Sequence, residues 1–217
     1  LRDRLALLAA ALVLPFAAPA GAACPTPQAV GQLAAAWHAM TPATGLDAAM
    51  TMADAYCGQT LLLAELAKTQ GRAVGYKAGL TNPAVQKRFG YDAPVRGTLF
   101  EKMLLADGAE VPARFGVRPV FEADLVVEVK DEGINDARTP AEVLPHLSRI
   151  LPFIELPDLV LDPKEPLNGP VIAAINVGAR LGVLGQGFAP AAEHLGQLAA
   201  SAPRGRPEGR RPEHGPA

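Results

Sequence analysis

The stretch RPVFEADLVVEVK, residues 118–130, constrains this chain more than any other. Valines, a leucine and a phenylalanine alternate with Glu122, Asp124 and Glu128. A period of two is that of a β-strand, in which residues two apart share a face. Glu122 and Asp124 therefore project side by side, where like charges repel unless something sits between them. The segment is either the wet face of an ordinary sheet or half of a metal site.

The segments around it supply the fold class. Residues 28–40, QAVGQLAAAWHAM, carry helical spacing, with Val30, Leu33 and Trp37 on one side. Residues 47–72 form a longer amphipathic pattern, with Asp47 available as its cap and Gly71 as its stop. AVGYKAGL then changes register to a short strand broken by glycines. Asn82 can cap a helical turn over residues 83–90, with Pro83 at its first position. Residues 95–130 read as strands and turns, and residues 140–150 as a helix with Pro140 at its start. LPFIELPDLVL is a further strand, expected on an edge or bulged because of Pro152 and Pro157. Residues 169–185 are hydrophobic, punctuated by glycines, and end in a strand. Helices first and a largely β body afterwards predict an α+β fold.

Composition narrows the function classes. The chain of 217 residues is 49% hydrophobic and 19% charged, which describes a globular protein with a real core. A net charge of −2 and 5% aromatic residues give no electrostatic or stacking argument for nucleic acid. Residues 1–23 carry Arg2 and Arg4 before an apolar run too short to span a bilayer comfortably, then small residues suited to cleavage near Ala22 or Ala23. They read as an export signal, and the mature protein as periplasmic or secreted, with no membrane span left after cleavage. Cys24 and Cys57 are then either one disulfide or two unrelated thiols. Residues 201–217 contain no Val, Ile, Leu, Met or aromatic residue and are expected to be disordered. A natural basic tail and an out-of-frame read both account for that composition.

Three sets of residues could do chemistry. Glu122 and Asp124, with Glu155 on a second strand, offer hard oxygen donors suited to Mg²⁺, with Mn²⁺ or Ca²⁺ as alternatives. Asp158 competes with Glu155 as the third ligand. Lys77 lies in GYKAG, where Gly75 and Gly79 let a ligand or another backbone come close. A lysine there is a base, a carboxylate binder or a surface residue beside a turn. His38, His146 and His194 lie on predicted helices with no Ser or Cys motif nearby, and no Gly-x-Ser-x-Gly anchors a hydrolase triad.

Read in order, these motifs carry a family resemblance. GYKAGLTNPAVQKRFGYDAPVRGTLF, RPVFEADLVVEV, LPFIELPDLVL and NVGARLGVLG resemble successive segments of the 2-keto-4-pentenoate hydratases and 4-oxalocrotonate decarboxylases, within the fumarylacetoacetate hydrolase superfamily. The match covers roughly residues 70–186. It implies a mixed β-roll over residues 73–200, preceded by a helical segment at 24–72 and incomplete at its C-terminal end. It implies a divalent cation, Mg²⁺ or Mn²⁺, held by Glu122, Asp124 and Glu155, with Asp124 one methylene shorter than the family's usual Glu. Lys77 and Asp92 match the family's catalytic lysine and an acidic residue before the Gly-Thr-Leu-Phe turn. Gly178 stands where relatives usually carry a serine. The implied substrate is a small 2-oxo or 2-hydroxydienoic acid, with hydration, decarboxylation and C–C hydrolysis all open on one scaffold. A non-catalytic periplasmic binding protein is the alternative from another class. A β-roll lacking its last third is expected to leave open strand edges, and to be inactive or to need partner chains, as in a homo-oligomer.

Overall fold

Helix α1, Pro27–Ala39, starts where Thr26 Oγ1 accepts from Ala29 N at 3.2 Å, with Pro27 in the first turn. It stops at Met40, which takes a left-handed conformation. Helix α2, Met52–Gln70, begins later than the pattern from residue 47 predicts. The reason is a capping box: Thr51 Oγ1 accepts from Asp54 N, and the Asp54 carboxylate accepts from Thr51 N at 2.9 Å. Asp47 instead closes a turn, accepting from Ala49 N. Gly71 ends the helix at φ 84°, as expected. Cys24 is joined to Cys57 of α2, which decides the cysteine question in favour of one disulfide.

The computed structural model describes residues 24–191; the expected export signal, His194 and the tail at 201–217 lie outside them. Two sheets follow the helices. Strand β1, Ala73–Gly79, pairs antiparallel with β2, Val95–Phe100, and helix α3, Pro83–Phe89, connects them. The second sheet contains β3, Leu104–Leu105, β4, Glu122–Val129, β5, Leu147–Leu156, and β6, Leu181–Leu184, in the order β3-β6-β5-β4. Its pairs are antiparallel except β3 with β6. The fold is thus α+β with mixed sheets, as the sequence predicts.

Helix α5, Gly169–Ala174, lies in the main core with α1, α2 and β2. Leu33, Leu62, Leu66, Val95, Met103 and Val171 meet there. Gln59 of α2 ties these layers by donating to the Arg96 and Ala173 carbonyls at 2.8 and 2.7 Å. The helical segment at 24–72 therefore shares its core with β2 and α5. No helix among the described residues is long and apolar enough to cross a membrane.

Two expectations are corrected. The helix predicted over 140–150 is only α4, Pro140–Val143, followed by one 3-10 turn, and Leu147 already belongs to β5. Pro145 removes the donor that a longer helix would need. Strand β5 is also not an edge: it lies between β6 and β4. Pro152 is tolerated because the β6 pairing covers only Phe153 to Leu156, beyond which Gly185 N donates to the Pro152 carbonyl. The open edge belongs to β4, where Leu125, Val127 and Val129 are all more than a third exposed.

The disulfide closes a separation of 33 residues, for which loop entropy predicts about 3–4 kcal/mol of stabilisation. Thermal melts with and without a reductant are expected to differ by about 10 °C, the reduced form being the weaker.

Candidate metal and substrate site

The alternation in β4 turns Glu122 and Asp124 to one face, and the β5 register completes the group. Glu122 is the cross-strand partner of Glu155, Asp124 of Phe153, and Glu128 of Arg149. Directly opposed residues share a face, so Glu155 sits beside both acids of β4. Glu128 is separate: its carboxylate accepts from Arg149 Nε at 2.8 Å and serves as an ordinary surface pair.

Lys77 reaches this group from the other sheet. In β1 the spacing Gly75, Lys77, Gly79 puts all three on the less exposed face. At Gly79 a Cβ would collide with Val177 Cγ1, so glycine there is a packing requirement. Lys77 Nζ forms an ion pair with Glu155 Oε1, both side chains being 10% exposed or less. The same ammonium donates to the Val177 carbonyl at 3.0 Å. Burial raises the Glu155 pKa above the usual carboxylate range, and the charges of Glu122 and Asp124 push the same way. Lys77 opposes that rise without cancelling it.

Lys77, Glu122 and Asp124 border a cavity of about 540 Å³. Lys77, Glu122, Asp124, Asn82 and Arg88 contribute polar lining, and Val85, Phe89, Ile172 and Val177 contribute apolar wall. Arg88 was missed in the sequence, although Val85 and Arg88, three apart on α3, share one helix face. Gln86, Lys87 and Gly90 border a different hollow with Tyr91 and Asp92. Asp92 is therefore not brought to Lys77: α3 and its left-handed cap Gly90 carry it to the far side of the helix.

Asp158 is also spoken for. It is 1% exposed, accepts from Arg118 N at 2.7 Å and has Arg180 Nη1 at 3.4 Å. Of the two competing third acids, Glu155 is thus the one beside Glu122. Gly178 has φ 66°, a left-handed conformation that glycine adopts without strain and serine does not.

As they stand, no three acidic, histidine or cysteine side chains among the described residues form a closed ligand set. Glu155 is drawn to Lys77, while Glu122 and Asp124 are exposed. The donor chemistry nevertheless fits a hard divalent cation. Three carboxylates lie on neighbouring strands; burial is the main cause of the raised Glu155 pKa, and the smaller repulsion from Glu122 and Asp124 that adds to it is what a cation would relieve.

No protein-family model matches the chain. Curated relatives do. The 2-keto-4-pentenoate hydratase of Burkholderia vietnamiensis is 36% identical over 95 residues, covering 43% of this chain and 36% of the relative. That of Paraburkholderia xenovorans is 30% identical over 107 residues, covering 49% and 40%. Over these segments the chain is similar to the 2-keto-4-pentenoate hydratases. It spans well under half the length of these two relatives. In fold it is similar to 4-oxalocrotonate decarboxylase from Pseudomonas putida G7, a structure complexed with magnesium and adipate. That likeness has a TM-score of 0.58 at 22% identity and covers 73% of this chain and 62% of the other.

Removing one partner of a buried ion pair leaves the other uncompensated, at a cost of about 3–5 kcal/mol. Lys77→Met is expected to lose about that much in denaturant unfolding, and Lys77→Met combined with Glu155→Gln to regain most of it.

Proposed function

We propose that the chain carries the site of a metal-dependent lyase acting on a small 2-oxo or 2-hydroxydienoic acid, with hydration of 2-hydroxypenta-2,4-dienoate as the reaction. The observation that carries this reading is that Glu122 and Asp124 from one sheet and Lys77 from the other line one cavity with an apolar wall, with Glu155 opposite Glu122 and paired to Lys77 behind them. The names of the curated relatives support it, as does the magnesium in the decarboxylase of similar fold.

Glu122, Asp124 and Glu155 would hold Mg²⁺ or Mn²⁺ through oxygen atoms alone. When bound, the cation supplies Lewis-acid polarisation of the carboxylate and keto oxygens of a 2-oxo acid. The protein's own residues supply the rest. Val85, Phe89 and Ile172 offer the apolar surface for the hydrocarbon part of the substrate and keep bulk water from it. Lys77 Nζ, already donating to two oxygens at the cavity wall, is the group suited to bind a substrate oxygen or move a proton. Asp124, one methylene shorter than glutamate, draws its end of the ligand set closer to β4.

The disulfide supports a further part of the reading, that the protein works in an oxidising compartment after export.

The test is turnover by the purified chain. With Mg²⁺ present, absorbance of the conjugated dienoate is expected to decay, and chelation to stop the decay. Glu122→Gln, at an exposed position, is expected to lower kcat/KM by about a hundredfold or more while leaving the melting temperature within about 2 °C. Metal-independent turnover, or full activity in Glu122→Gln, would defeat the proposal. Decay of a 2-oxo dicarboxylate with release of CO₂ instead would redirect it to decarboxylation.

A further inference from the structure

Between α5 and β6 the backbone does something unusual. Asn176, Val177 and Gly178 are consecutive left-handed residues, with φ of 56°, 54° and 66°. Glycine accepts that conformation and asparagine tolerates it, but a β-branched valine does so only under constraint. Strain of this kind persists where surrounding contacts over-determine it.

The constraints are explicit. Asn176 is 1% exposed, and its amide makes a reciprocal clamp on one residue of β2. Oδ1 accepts from Thr98 N at 2.7 Å, and Nδ2 donates to the Thr98 carbonyl at 2.9 Å. The Asn176 carbonyl oxygen lies over Gly97, where any Cβ would come within 2.7 Å of it. Gly97 is the cross-strand partner of Lys77. On the far side, the Gly178 carbonyl accepts from Asp158 N at 2.9 Å. The product of all this is the direction of one group, the Val177 carbonyl, which accepts from Lys77 Nζ at 3.0 Å.

We infer that Asn176 is a positioning residue: by clamping Thr98 it holds the left-handed turn whose Val177 carbonyl aims the Lys77 ammonium along the cavity wall. This rests on the proposed role of Lys77 in turnover. Asn176 does not itself line the cavity, so it acts only through Val177 and Lys77. Its side chain is specified by the clamp, which needs one donor and one acceptor at fixed separation. Aspartate offers two acceptors, and the apolar residues offer neither.

The experiment compares the wild-type chain with Asn176→Asp, the nearest isostere. In the folded variant kcat for the dienoate is expected to fall about 10- to 100-fold. KM and the Mg²⁺ dissociation constant, set by the cavity wall and the carboxylates, are expected to stay within about twofold. A merely structural role would lower the folded fraction and leave the kcat of folded molecules alone. Unchanged kcat in folded Asn176→Asp, or equal losses in kcat, KM and metal affinity, would overturn the inference. Should Asn176→Asp not fold, Asn176→Ser is measured for the same split. If the wild type shows no turnover, the functional reading fails on its own. A crystal structure of the variant then decides the inference: the Lys77–Val177 bond broken supports it, and the bond intact overturns it.

Discussion

Lys77 and Glu155 belong to different sheets, and their buried ion pair is the polar joint between them. Taking both charges out of water costs several kcal/mol per ion, which Coulomb attraction and hydrogen bonds offset only when the geometry is good. Here the ammonium has a second acceptor in the Val177 carbonyl, while the carboxyl still has its pKa raised by burial. Two apolar side chains of similar volume would join the sheets at less cost. The charged pair makes sense because its lysine also lines a cavity in which charge is useful.

The acids of β4 complement that joint in a different way. Glu122 and Asp124 are exposed at an edge strand, yet the register with β5 fixes their backbone opposite Glu155 and Phe153. Their backbone positions are thus fixed, while their exposed side chains, Asp124 accepting from Leu125 N at 2.8 Å, can turn toward a cation. Two nearby acids are kept out of the group by local structure. Asp158 is taken up with Arg118 N and Arg180, and Asp92 lies beyond α3.

Much of this was legible in the sequence because it depends on local pattern. The period of two in 118–130, Gly71 after α2, and Asn82-Pro83 before α3 each record a backbone requirement in neighbouring residues. The order of motifs carried the family resemblance. What was hidden depends on partners distant in the chain. The central place of β5 follows from β6 beginning some 25 residues later and ending before Pro152 needs a donor. The separation of Asp92 from Lys77 depends on which face of α3 lines the cavity. The start of α2 was misjudged because the Thr51–Asp54 box lies inside a segment already helical in composition. Nothing in the string INVGAR announces a left-handed valine.

In the proposed site Glu122, Asp124 and Glu155 hold one cation with Lys77 at its margin. Anomalous diffraction from crystals grown with Mn²⁺ tests that arrangement. A peak is expected within coordination distance, about 2.0–2.2 Å, of oxygens from all three carboxylates, with Glu155 turned from Lys77 toward the ion. A saturating Mn²⁺ soak that leaves no peak there, or one bound elsewhere with the Lys77–Glu155 pair intact, would contradict it.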